Sequence, residues 1–220
     1  MSTATPTATA LVPEQRVVVH ELDWNRYRKI ADAMGDAHVR LTYNEGSLEF
    51  MTLSHGHERC SNLIGRFIEA LTEELDLPIQ SGGSTTLNRE DLDRAAEPDQ
   101  CFYIDNEPLV RGKDEIDLAI DPPPDLVVEV DITRSSRARM KIYSAMRIPE
   151  VWRYDGAVLR VLQLEDAGEY LEVAESRFFP GISPLKVSEF LSQRTQMDAN
   201  RLVRGFRQWV REALLSRQRP

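Results

Sequence analysis

Asp125-Leu126-Val127-Val128-Glu129-Val130-Asp131 is the stretch that decides how this chain folds. A strand puts successive side chains on opposite faces. Leu126, Val128, Val130 and Ile132 therefore share one face, and Asp125, Glu129 and Asp131 the other, interrupted by Val127. Three carboxylates on one side of an apolar strand repel one another and resist losing water, so they require a compensating cation. Upstream, Pro98-Asp99-Gln100-Cys101-Phe102-Tyr103-Ile104 is a second strand-like run that opens on an acid. Downstream, Arg134, Arg137, Arg139, Lys141 and Arg147 form a basic segment free of acids. Acids on adjacent strands with cations close behind point to a divalent metal and a phosphate ester.

Composition narrows the possibilities. The chain has 220 residues and is 41% hydrophobic, enough to bury the core of one domain. It has no run of about 18 apolar residues, which excludes a membrane span. Cys60 and Cys101 lack metal-like spacing and fit free buried thiols in a reducing compartment, so a cytoplasmic location is expected. The net charge of −9 argues against an all-round nucleic-acid binder. Its distribution is uneven: residues 134–220 hold 16 Lys/Arg against 10 Asp/Glu, an excess of +6 that leaves −15 on residues 1–133. Local field matters more than net charge for steering a polyanion.

The Thr-, Ala- and Pro-rich residues 1–14 read as a disordered tail. Asp23 caps a helix from Trp24 to about Met34, and strands at Val39–Tyr43 and Ser47–Leu53 meet at Asn44-Glu45-Gly46, a hairpin turn. Cys60, Leu63, Ile64, Phe67, Ile68 and Leu71 set a helix from about His57 to Leu75. Pro78 to Leu87 reads as a strand with an irregularity at Gly82-Gly83. Strands follow at 98–104 and 125–132, then a helix from Ser136 to Met146, a strand at 149–154, and a meander over 157–164 and 170–174. A helix between the strands at 125–132 and 149–154 permits a parallel crossover. The fold class is α/β with a mixed sheet, an N-terminal hairpin and a C-terminal helix. A domain over 15–195 and a helical element over 196–220 are expected. Val203, Phe206, Val210 and Leu214 form an apolar stripe on that last helix, a candidate surface for a homodimer.

The order helix, three strands, helix, strand, with Glu97-Pro98-Asp99 before one strand and Asp125 to Asp131 on the next, resembles the PD-(D/E)XK restriction-endonuclease-like superfamily. More narrowly, the chain resembles the Uma-two family of endonucleases. The resemblance runs through Arg40–Tyr43, Gly46–Met51, His57-Glu58, Gly83–Thr86, Glu97–Ile104, Asp121–Thr133 and Pro149–Gly156, and covers about residues 15 to 192. It implies a metal-dependent nuclease acting on nucleic acid, DNA above all. Asp99 and Glu129 would ligate Mg²⁺ or Mn²⁺, with the carbonyl of Val130 as a third ligand. An acid on the first long helix serves some superfamily members as an extra ligand or base, which makes Glu58 a candidate; His57 reads as a polar helix-start residue.

The chain departs from the pattern at the lysine. Two residues after Glu129 the superfamily signature has Lys, and here stands Asp131. In the Uma-two family that Lys commonly sits on the following helix, four residues before a Tyr. Counting back from Tyr143 gives Arg139, with Lys141 two before. The two lie about 200° apart around a helix, so only one can face the metal. If Arg139 holds the place, its guanidinium is expected to point at Asp99 and Glu129 and to depress their pKa values. Arg keeps the charge but cannot shuttle protons, so slow or undetectable turnover is expected. The rival reading is a nucleic-acid-binding or assembly module that keeps the fold and has lost efficient chemistry.

Overall fold

A computed structural model describes residues 15–35, 37, 39–132 and 137–217; the expected tail over 1–14 and the basic residue Arg134 lie outside them. The elements run β1 (Arg16–Val19), α1 (Trp24–Met34), β2 (Val39–Asn44), β3 (Ser47–Thr52), α2 (His55–Leu75), β4 (Gln80–Gly83), β5 (Leu87–Arg89) and β6 (Arg94–Ala96). They continue with β7 (Gln100–Tyr103), α3 (Glu107–Val110), β8 (Leu126–Val130), α4 (Arg137–Ala145), β9 (Glu150–Tyr154), β10 (Leu159–Leu164), β11 (Tyr170–Val173), α5 (Pro184–Ser192) and α6 (Ala199–Arg217).

The strands form two sheets, one ordered β1-β3-β2-β6-β5 and the other β11-β10-β9-β8-β7-β4. In the second sheet β8 and β9 are parallel, joined through α4, and the remaining pairs are antiparallel. This is the α/β architecture with a mixed sheet that the crossover predicted. All five residues of β8 are buried, because helices cover both faces. Leu126, Val128 and Val130 pack in one cluster with Ile64 and Phe67 of α2 and Phe206 of α6. Val127 packs in another with Ile142, Tyr143 and Met146, on the α4 side. The alternation therefore sorts the apolar face toward α2 and the acidic face toward α4.

Local chemistry sets the boundaries. Asp23 accepts the Arg26 N–H at 2.8 Å and starts α1. Ser54 accepts the His57 N–H at 3.2 Å, which begins α2 at His55, two residues earlier than expected. The β2–β3 hairpin turns through Glu45 (φ 46°) and Gly46 (φ 87°), the left-handed pair that matches the twist of its strands. The expected strand over 78–87 divides. Its register shifts between Ser81 and Gly83, where a Cβ on Gly82 would lie 2.6 Å from Cys101 Sγ. Residues 80–83 then pair with β7, whereas β5 joins the other sheet. The sequence reading also had no counterpart for α5.

The α6 stripe is used within the chain. Leu202, Val203, Phe206 and Val210 are buried, and Phe206 stacks on Phe67 of α2 at a centroid distance of 4.2 Å. Arg211 and Arg207 reach Glu74 of α2 at 2.7 and 3.3 Å. The surface expected to receive a second copy is thus part of this chain's own core. Among the described residues no helix is long and apolar enough to cross a membrane.

Candidate active site

The β7–β8 ladder brings the two principal acids together. Its last registered pair is Gln100 with Val128, and Asp99 lies just beyond it, near enough to Glu129 for its charge to act on that acid. Asp99 closes this end of the ladder with its own side chain. Its N–H donates to the Val128 carbonyl at 3.2 Å, and its Oδ2 accepts the Val130 N–H at 2.7 Å. Asp99 is 1% exposed and Glu129 fully buried. Carboxylates so enclosed must be matched by donors or cations.

Each is matched. His57, fully buried at the start of α2, sets its Nε2 2.8 Å from Asp99 Oδ1. Arg139 reaches Glu129 Oε2 at 2.7 Å, and the Tyr143 hydroxyl donates to Oε1 of the same carboxylate. Arg139 and Tyr143 are four apart on α4, so they share the helix face turned to β8. The Ser61 hydroxyl, one turn beyond His57, donates to the Asp99 carbonyl at 3.2 Å. The site is therefore built from the end of a ladder and one face of each flanking helix.

The environments drive the two acids apart. Burial raises the pKa of Asp99, but His57, the charge of Arg139 and the Val130 N–H together outweigh it, and the net shift is downward. Glu129 goes the other way. Burial pushes it up to about 8, aided by the charges of Asp99 and Asp131 and resisted by Arg139 and Tyr143. The charge of Arg139 thus lowers both acids, but at Glu129 loss of water outweighs it and the net shift is upward. Arg139 is itself desolvated, yet Glu129, Tyr143 and Asp99 hold it more firmly protonated than a free arginine.

The other candidates from the sequence fall elsewhere. Glu58 is half exposed and faces Arg40 at 3.6 Å, in a cleft with His55 and Arg194 that does not include Asp99 or Glu129. Lys141 is exposed, and Arg139 takes the position at the acids. Val130 contributes its N–H to Asp99. Asp125 is buried and accepts the N–H groups of Ile104 and Asn106 at 2.7 and 2.8 Å. Asp131 pairs with Arg153 at 3.0 Å. Among the described residues Asp125, Glu129 and Asp131 thus each have a partner of their own. His57 is the site residue that the sequence reading passed over. The signal was present: 57, 60, 64, 67 and 71 fall on one helical stripe, which leaves Glu58 off it.

Among the described residues no three His, Cys, Asp or Glu side chains are arranged to hold a metal ion. Asp99 and Glu129 nonetheless fit a hard divalent cation as a two-carboxylate site, of the kind that Mg²⁺ completes with water and substrate oxygens. Among the described residues one oxygen of each is buried without a hydrogen bond, Asp99 Oδ1 and Glu129 Oε2, with only the ion-pair contacts of His57 and Arg139 beside them, whereas the other oxygen accepts from the Val130 N–H or the Tyr143 hydroxyl.

No curated protein matches the sequence. Among solved structures, the chain is similar to a crystal structure from Anabaena variabilis ATCC 29413 titled as a "putative nuclease belonging to DUF820". The two share 13% identity with a TM-score of 0.54, over 77% of this chain and 98% of that one. At that identity the likeness shows the fold. The family model described as "Uma2: Putative restriction endonuclease" matches residues 24–200, and the chain belongs to that family.

Proposed function

We propose that the chain hydrolyses phosphodiester bonds of nucleic acid, DNA in the first instance, with Asp99 and Glu129 holding Mg²⁺ or Mn²⁺. The observation that carries this reading is that two buried acids, Asp99 just beyond the last registered β7–β8 pair and Glu129 near the end of β8, lie within each other's electrostatic reach with Arg139 2.7 Å from Glu129. Bound there, the cation would polarise the scissile phosphate and acidify a water. The remaining work falls to side chains. His57 and the Val130 N–H fix both oxygens of Asp99. Tyr143 orients Glu129. Arg139, always charged, moves from Glu129 to the phosphate and stabilises the negative charge that develops there. Among the described residues no lysine stands beside the acids to transfer protons, so turnover is slow. Two free buried cysteines suit a reducing compartment, the cytoplasm.

Arg139 also favours a second reading, a nucleic-acid-binding module with the same fold and negligible chemistry. Nicking of supercoiled plasmid in Mn²⁺ by the native chain, Asp99→Asn and Arg139→Lys decides between them. Mn²⁺-dependent nicking that Asp99→Asn abolishes supports the nuclease. Binding without nicking in both the native chain and Arg139→Lys supports the module.

A further inference from the structure

Beside the acid pair lies a groove of roughly 620 Å³ between α4, β6 and the β9–β10–β11 edge of the sheet. Three cations line it: Arg94 from β6, Lys141 from α4 and Arg153 from β9; Glu169 is the one acid in its wall. Arg153 connects it to the site, being the register partner of Glu129 on the parallel strand and the ion-pair partner of Asp131 at 3.0 Å. The cations differ in how far they are committed. Arg94 is held by Glu45 at 2.8 Å and Asn44 at 3.0 Å, and Arg153 by Asp131. Lys141 is exposed and has no acidic partner among the described residues.

The neutral polar groups of the wall are engaged too. The Ser144 hydroxyl donates to the Gly168 carbonyl at 2.5 Å and the Tyr170 hydroxyl to the Ile148 carbonyl at 2.6 Å. Among the described residues no Asn or Gln side chain lines the groove, so none supplies the amide that pairs with an adenine edge. Its chemistry is that of a point charge backed by two guanidinium groups already held by Glu45 and Asp131, which suits a phosphate.

We propose that this groove, resting on the nuclease reading above, takes the sugar-phosphate backbone flanking the scissile bond, with Lys141 contacting one phosphate irrespective of sequence. The position that could not be the catalytic lysine thus acquires a separate role, that of holding the strand beside the site.

The test is the salt dependence of binding by the full chain, with fluorescein-labelled duplex and single-stranded DNA in EDTA, where no cleavage occurs. One lost phosphate contact lowers the slope of log K against log salt by about 0.9 on duplex and about 0.7 on single strands. Lys141→Ala is expected to produce that drop with duplexes of any sequence, and Lys141→Arg to retain the native slope. Lys186→Ala, which removes a lysine paired to Glu189 on α5, serves as the control and should leave it unchanged. An unaltered slope in Lys141→Ala, an equal drop in Lys186→Ala, or no binding by the native chain overturns the proposal. Because binding is read without turnover, the two readings fail separately. Binding through Lys141 without nicking refutes the nuclease alone, whereas nicking with an unaltered slope refutes the groove alone.

Discussion

Arg139 of α4 and Glu129 of β8 meet at 2.7 Å, with both side chains almost wholly removed from water. The contact ties the helix to the strand end where the acids gather, and it places a fixed positive charge beside Glu129. A buried ion pair is costly to break from one side, since the surviving charge is left without water or partner.

Arg139→Ala is accordingly expected to destabilise the fold by about 3–5 kcal/mol, whereas Arg139→Lys should cost less and raise any Mn²⁺-dependent nicking above the native level. Thermal melts alongside plasmid nicking check both. A lysine variant that nicks no faster than the native chain would show that the arginine is not what slows turnover.

Asp99→Asn and Glu129→Gln should each abolish Mn²⁺ binding as read by titration calorimetry. Asp99→Asn can still accept the Val130 N–H through its amide oxygen, so its fold should persist by circular dichroism. Native-like Mn²⁺ affinity in both variants sinks the metal assignment.

The pH dependence follows from opposite shifts. Glu129 binds its proton more tightly folded, near pH 8, than unfolded, near the ordinary 4.5. The unfolded chain therefore releases that proton first, and stability should decline as pH rises from about 4.5 to 8. Asp99, shifted downward, contributes stability above its ordinary value of 3.8 that is lost as pH falls below it. Denaturant titrations across this range should show the decline in the native chain and a flatter profile in Glu129→Gln. Identical profiles would show that Glu129 titrates alike in both states.

His57→Ala removes the partner of a buried carboxylate and opens space at the start of α2, and a loss of about 3 kcal/mol is expected. His57→Gln, which keeps a donor, should recover part of it. If both variants melt with the native protein, the contact to Asp99 contributes nothing to stability.

Phe206→Ala should cost about 3–5 kcal/mol, because its ring lies in the core against Phe67. Sedimentation should give the same mass before and after the substitution. A change in oligomeric state would show that α6 faces a second copy after all.

The central elements were legible because their signals are local. The alternation of β8 fixed both its faces, and the intervals on α2 and α6 fixed their apolar stripes. Glu97-Pro98-Asp99 and the acid at 129 marked the site, although their nearness depends on a ladder register that no local pattern encodes. What the sequence left open was set by tertiary choice. A single bulge beside Cys101 sent residues 80–83 and 87–89 to different sheets. His57 looked like surface because its neighbour Glu58 carries the more familiar chemistry, and only the helix phase set by Ser54 turns the imidazole inward. The α6 stripe has the same periodicity whether it meets its own core or another chain.

Asp99 accepts the Val130 N–H through its carboxylate and so completes a hydrogen bond that the backbone of β7 leaves unmade. This acid is part of the sheet's scaffolding as well as of the site. A relative of this protein without chemistry would be held to the same residue by folding alone, and its sequence would go on resembling that of an enzyme. Decay would first be written at positions with no structural bond to lose, such as the exposed Lys141.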